Sequence, residues 1–158
     1  MPENQQSLII YFSLSGTTKT AAEKIQAATG ADLVRIEATK AYPAGYDNYI
    51  KVAQQELDDQ IHPAISTQLP DLDQYDRIFV GFPTWSQQPP MIIHTLFEQA
   101  NFAGKTIIPF TTSMSTAMAD SVPYLQKMAQ AAHAKLGSGW RYENNQQSLD
   151  HFLQQNNF

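Results

Sequence analysis

The sequence predicts an α/β fold in which helices cover both faces of a doubly wound, parallel β-sheet. Short apolar runs typical of strands alternate five times with segments whose apolar residues recur at helical spacing. Two of the runs, residues 8–12 and 76–82, are almost continuously apolar, which is typical of strands buried on both faces. Polar, irregular loops follow the first, third and fourth runs. A ligand site is therefore expected where the carboxyl ends of those strands meet.

The composition of each run indicates its place in the sheet. The first run is short, β-branched and aromatic, and the third is a continuous apolar run, which is typical of a central strand. The second run alternates polar and apolar residues, which is typical of a strand nearer the sheet edge. The fifth run is short and contains glycine. The predicted strands span residues 8–12, 31–37, 76–82, 105–110 and 136–142.

Five helices are predicted from apolar stripes that recur at helical spacing. The first ends at Thr29-Gly30, because glycine is typical of the residue after a helix. The second is predicted over residues 46–61, and Pro63 disfavours its continuation. Asp120 or Ser121 is expected to cap the fourth. The closing helix is predicted over residues 147–155.

Size and charge limit the classes of function. With 158 residues the chain fits one domain, which we expect to span residues 1–158. The net charge of −5 argues against a nucleic-acid partner, because binding a phosphate backbone needs a basic surface. The chain has no cysteine, which excludes disulfides, thiolate metal sites and cysteine nucleophiles. No leader peptide and no membrane span are predicted, so the expected location is the cytoplasm.

Neither a catalytic side chain nor a metal site is predicted. Asp71, Asp73 and Asp76 lie close together in the sequence but lack the spacing of an EF-hand loop. None of the four histidines falls in the three polar loops, and we expect them to pack against the protein or face solvent.

The loop after the first strand has the composition of an anion site. Four of its residues, 13–18, carry hydroxyl groups, and a helix begins directly after them. The first N–H groups of a helix lack acceptors within it, and the helix dipole favours negative charge there. We expect Ser15 and Thr18 to direct their hydroxyls at a bound phosphate, and burial of those hydroxyls against protein would argue against this. The alternative is a hydroxyl-rich turn that only caps the helix. Walker A and G-x-G-x-x-G loops are both absent.

The pattern Ser13-x-Ser15-Gly16-x-Thr18 resembles the phosphate loop of the flavodoxin family, which holds the monophosphate of FMN. Residues 83–85 resemble the loop of that family that stacks on the flavin, and residues 112–114 resemble the loop whose N–H groups meet the pyrimidine oxygens. The resemblance spans nearly the whole chain and implies the strand order 2-1-3-4-5, with FMN as the cofactor. The cofactor-binding residues that it implies are Ser13, Ser15, Gly16, Thr17, Thr18, Pro83, Thr84, Trp85, Ser86, Thr112, Ser113 and Met114.

Purely structural roles remain open for the second and third loops. Trp85 could pack on the following helix, and residues 112–114 could form an ordinary polar turn. The loop that carries Tyr42 and Tyr46 looks like an element of a bacterial flavodoxin-like subgroup, and either tyrosine is a candidate to close over the flavin ring.

The chain departs from the flavodoxin pattern around the expected position of the flavin ring. Long-chain flavodoxins place a glycine after the stacking tryptophan, where this chain has Ser86. They surround the ring with acids, where this chain has the neutral residues Gln87, Gln88, Met114 and Ser115. We therefore expect a less negative redox potential and a less stabilised one-electron-reduced flavin than in low-potential carriers.

Three functions are compatible with these patterns. The first is an FMN-binding electron-transfer protein that acts between redox partner proteins. The second is an NAD(P)H-dependent FMN oxidoreductase that reduces a small acceptor such as a quinone or a flavin. The third is a flavin-free binding scaffold, since a fold does not dictate a function, but the intact loop hydroxyls argue against it. The sequence leaves open the electron donor, the acceptor and the oligomeric state.

Overall fold

A computed structural model describes residues 6–14, 16–84, 88–113 and 118–158. Strands and α-helices alternate along these residues, as the apolar periodicity predicts. The strands are β1 (Gln6–Tyr11), β2 (Asp32–Arg35), β3 (Tyr75–Pro83), β4 (Thr106–Thr112), β5 (Lys135–Leu136) and β6 (Trp140–Arg141). The helices are α1 (Thr17–Thr29), α2 (Tyr46–Asp58), α3 (Met91–Gln99), α4 (Val122–Ala131) and α5 (Gln146–Gln155). None of these helices is long and apolar enough to cross a membrane.

The sheet has the strand order β2-β1-β3-β4-β5, and each neighbouring pair is parallel. This confirms the predicted order 2-1-3-4-5. The register places Tyr11 of β1 beside Gly81 of β3, and Gly81 beside Phe110 of β4. Since these three residues lie side by side in parallel strands, the carboxyl ends of β1, β3 and β4 lie next to one another. The three polar loops therefore start side by side.

Both faces of the central strands are buried, as their continuous apolar runs predict. Leu8 and Ile10 of β1 lie in a hydrophobic cluster with residues of α3 and α4. Ile9 between them points to the other face and packs in a cluster with residues of α1 and α5. All three side chains are fully buried. The alternation places helices on both faces of the sheet, as expected for a doubly wound fold.

The fifth strand differs from its prediction as one run over residues 136–142. It forms two short segments, β5 and β6, which both pair with β4. The register against β4 shifts by one residue between them, since Leu136 pairs with Ile107 and Trp140 with Phe110. Within this break the side chain of Asn156 bonds the backbone of Ser138. Its Oδ1 accepts a bond from Ser138 N (3.1 Å), and its Nδ2 donates to Ser138 O (3.0 Å). A Cβ on Gly137 would lie 2.7 Å from the same Oδ1, so this close approach needs a glycine.

The segment after β2 contains pairing that the sequence does not predict. Strand β2 ends at Arg35, two residues before the predicted end. Ala38 then forms an isolated antiparallel bridge with Ile65, and Thr39 N donates to Ala64 O (2.8 Å). Helix α2 ends at Asp58, three residues before the predicted end. The bridge ties the start of the loop that carries Tyr42 to residues 64 and 65.

Candidate functional site

The described residues of the predicted site lie in three loops at the carboxyl ends of the strands. Ser13, Gly16, Thr17 and Thr18 follow β1, Pro83 and Thr84 end or follow β3, and Thr112 and Ser113 end or follow β4. Four predicted site residues lie outside the described residues: Ser15, Trp85, Ser86 and Met114. The roles implied for these four side chains therefore stay predictions.

The turn between β1 and α1 positions the first backbone amides of the helix. Gly16 has a φ of 93°, a left-handed conformation that favours glycine. Its N–H donates to Ser13 Oγ (3.2 Å), which tightens the turn. The helical hydrogen bonds begin with Thr20 N donating to Gly16 O (3.1 Å). The amides of Thr18 and Lys19 precede that bond and have no acceptor within α1. This arrangement favours an anion at the helix start.

The hydroxyl of Thr18 is buried beside the end of β4. Thr18 is only 1% exposed, and its Oγ1 lies 2.7 Å from Oγ1 of Thr112, which is 7% exposed. The contact of this hydroxyl with a phosphate stays a prediction, since a hydroxyl that accepts from Thr112 can still donate to a ligand. The bond joins the loop after β1 to the end of β4.

The loops after β3 and β4 are also joined at their first residues. Thr84 N donates to Thr112 O (2.9 Å), which extends the pairing of the two strands. The hydroxyl of Thr111 donates to Phe82 O (2.9 Å), so it accepts from the neighbouring hydroxyl of Thr84. Because Thr111 is completely buried, this pair fixes the base of both loops.

Two arginines hold the loops, and neither belongs to a sequence motif. Arg35, the last residue of β2, donates from Nη2 to Ser13 O (2.6 Å). Arg141 of β6 donates from Nε to Ser113 Oγ (3.0 Å) and from Nη2 to Ser113 O (3.2 Å). Both lie at the carboxyl ends of strands, which is the one sequence signal that could have pointed to them. They place positive charge beside the first and third loops.

Tyr42 is held by contacts within the β2–α2 region. Its ring packs against Phe12, with centroids 5.6 Å apart, and its hydroxyl donates to Glu56 Oε1 (2.5 Å). Burial raises the pKa of the Tyr42 phenol above its ordinary value, and the bond to Glu56 raises it further. The candidate role of Tyr42 over the flavin ring stays a prediction. The side chain of Tyr46 lies outside the described residues.

Glu56 should make the stability of the protein depend on pH. Burial raises the pKa of its carboxyl above the ordinary 4.5, although the bond from Tyr42 lowers it in part. The folded protein thus holds this proton more tightly than the unfolded chain, and that contribution to stability is lost as pH rises through the raised pKa. We expect Glu56→Gln to gain stability relative to the original protein as pH rises from about 4 to about 8.

Urea unfolding across that pH range measures the effect. Tyr42→Phe is the matched control, since removing the bond that lowers the Glu56 pKa should move the transition to higher pH. A stability difference between Glu56→Gln and the original protein that stays constant with pH would contradict this account.

The described histidines form contacts away from the three loops. His62 Nδ1 lies 2.8 Å from Glu98 Oε1, and the His62 ring stacks on the His94 ring at 5.4 Å between centroids. Burial and the nearby His62 lower the pKa of His94. Within the described ranges, no group of three or more His, Asp or Glu side chains is arranged to hold a metal ion.

Comparisons with known proteins agree with this architecture. The flavodoxin family model matches residues 6–156. A candidate flavoprotein from Bacteroides eggerthii is 31% identical, with a TM-score of 0.84 over 94% of this chain and 96% of that chain. A Lactobacillus acidophilus flavoprotein, solved in complex with FMN, is 26% identical, with a TM-score of 0.79 over 94% and 98% of the two chains. Flavodoxin 2 from Bacillus cereus, at 19% identity and a TM-score of 0.57 over 93% and 92% of the chains, shares the fold.

No match was found among curated proteins. The chain belongs to the flavodoxin family.

Proposed function

We propose that residues 1–158 form one flavodoxin-like domain that binds FMN and transfers electrons to a redox partner protein. The observation that carries this proposal is the turn at Gly16 and the start of α1, which lie at the carboxyl ends of the strands where the three loops begin. The turn at Gly16 and the amides of Thr18 and Lys19 suit a phosphate monoester, because they supply donors without a bulky side chain. The FMN complex of the similar Lactobacillus acidophilus protein supports the same cofactor.

The residues of the three loops fit the parts of FMN. The start of α1, with Ser13 shaping its turn, would receive the phosphate. Pro83 and Thr84 on one side, and Thr112 and Ser113 on the other, would line the crevice that receives the flavin. The resemblance adds Ser15, Thr17, Trp85, Ser86 and Met114 as proposed contacts. Bound FMN would supply the redox chemistry, while the protein binds and orients it and sets the surrounding charge.

A titration with FMN tests the cofactor assignment. The purified protein is stripped of small molecules, and flavin fluorescence is followed as FMN is added. We expect saturable binding of one FMN per chain and a visible absorption spectrum shifted from that of free FMN. Riboflavin should bind more weakly, because it lacks the phosphate that the helix start attracts. Protein that stays colourless and binds no FMN would overturn the proposed function.

A second candidate is an NAD(P)H-dependent reductase that acts on a quinone or a flavin. The observation that favours it is the positive charge of Arg35 and Arg141 beside the loops. Such charge would favour the reduced, anionic state of a flavin and would attract the phosphates of a nicotinamide dinucleotide. Steady-state oxidation of NADH and NADPH with a quinone acceptor separates the two candidates. Turnover would support the reductase, and its absence would support the electron carrier.

A further inference from the structure

We propose that Arg35 is a specificity-determining residue, whose positive charge makes the site at the start of α1 select ligands that carry a phosphate monoester. This role rests on the proposed binding of FMN, and it adds a charged group to the neutral donors of residues 13–18. Arg35 ends β2 and lies next to Tyr11 in the register of the sheet. Register partners point to the same face, so its side chain starts on the face that α1 covers, where Tyr11 packs with Ala21 and Ala22.

The guanidinium of Arg35 is fixed to the first residue of the loop that precedes α1. Its Nη2 donates to Ser13 O (2.6 Å), a short bond that is typical of a charged donor. Ser13 is only 2% exposed, and its own hydroxyl accepts from Gly16 N (3.2 Å). Two hydrogen bonds therefore link Arg35, through Ser13, to the residue at which the chain turns into the helix.

The charge of Arg35 is not neutralised by an ion pair in the described part of the chain. Its acceptor is a carbonyl, and no carboxylate of those residues lies within ion-pair distance of it. The charge also acts on its surroundings: burial raises the pKa of the Tyr11 phenol, and Arg35 lowers it in part. Glu23 and Glu37 raise the pKa of the same phenol, but neither of them pairs with Arg35. A cation that is held by a neutral carbonyl keeps its attraction for an anion.

Ligands with and without a phosphate would respond differently to Arg35. The phosphate of FMN carries close to two negative charges at pH 7, whereas riboflavin has the same ring and an uncharged chain end. A cation beside the loop stabilises the first ligand and has little effect on the second. The amides at the start of α1 also favour an anion, so part of the preference for FMN should remain without Arg35.

The dissociation constants of FMN and riboflavin test this role. In Arg35→Gln we expect FMN to bind about tenfold more weakly, through the loss of one charge near an anion, while riboflavin binds as in the original protein. If Arg35 only shaped the loop through Ser13, both flavins would lose affinity by the same factor. Arg35→Lys keeps the charge and should keep most of the preference for FMN. Quenching of flavin fluorescence gives each constant.

Inorganic phosphate provides a second measurement that does not depend on the flavin ring. Phosphate should compete with FMN when chloride holds the ionic strength constant, and its inhibition constant should rise about tenfold in Arg35→Gln. Arg77→Gln is the matched control, since it removes the same charge and a bond to a backbone carbonyl, that of Asn156, near the amino end of β3. It should change neither the preference for FMN nor the competition by phosphate.

Three results would overturn this role of Arg35: an unchanged ratio of the riboflavin and FMN constants in Arg35→Gln, an unchanged inhibition constant of phosphate in that variant, or an equal fall of the ratio in Arg77→Gln. Circular dichroism checks that each variant is folded. If Arg35→Gln does not fold, Arg35→Met removes the same charge and carries the same comparison. Failure of the original protein to bind FMN would instead count against the proposed function.

Discussion

Replacement of Gly81 by alanine is expected to destabilise the protein by about 3 kcal/mol, since overpacking of a rigid core carries costs of this size. A Cβ at this position would lie 2.2 Å from Cζ and 2.4 Å from Cε2 of Phe110, far closer than any real contact. Gly81 is buried in the middle strand β3, between Tyr11 of β1 and Phe110 of β4. Phe110 is fully buried, so its ring has little room to move away.

Urea unfolding of Gly81→Ala measures the loss, and a second background identifies its cause. Phe110→Leu removes the ring atoms that the new methyl group would meet. Gly81→Ala should therefore cost much less in the Phe110→Leu protein than in the original one, because the two residues are in direct contact. An equal cost in both backgrounds would show that the Phe110 ring is not the reason for the glycine.

The central strands could be predicted because each carries its own local signal, whereas their order was implied by the resemblance to the flavodoxin family. The composition of an apolar run such as residues 8–12 indicates burial on both faces without any knowledge of the neighbouring strands. The fifth strand could not be predicted in the same way. Its two segments are offset by one residue in their pairing with β4, and Ser138 between them bonds the side chain of Asn156, which is 18 residues away in the sequence. No local pattern records that contact.

The same distinction applies to the site. The loops were predictable, since each follows a recognisable strand and carries hydroxyl groups. The partners of their side chains were not. Thr18 and Thr112 are 94 residues apart, and the sequence suggests a role for each without suggesting that they bond each other. Arg35 and Arg141 donate to backbone carbonyls of Ser13 and Ser113, and a carbonyl acceptor leaves no trace in the sequence.

Replacement of Arg141 by glutamine should weaken the binding of FMN by about a hundredfold, because the two bonds from one guanidinium are each of the stronger, charge-assisted kind. These bonds fix both the hydroxyl and the carbonyl of Ser113, at the start of the segment proposed to contact the flavin. Arg141→Lys should recover little of the loss, since an ammonium group cannot reproduce the planar, two-point geometry. Fluorescence titration with FMN measures both variants.

The same substitution should also make the midpoint potential of the bound flavin more negative, because it removes a positive charge that favours the reduced, anionic state. Arg77→Gln is the matched control. Arg77 also donates to a backbone carbonyl, that of Asn156 (2.9 Å), but it lies near the amino end of β3, away from the loops. Both variants change the net charge equally, so a purely global charge effect would shift the two potentials alike. A shift confined to Arg141→Gln would show that its guanidinium acts on the flavin locally, whereas equal shifts would remove Arg141 from the site.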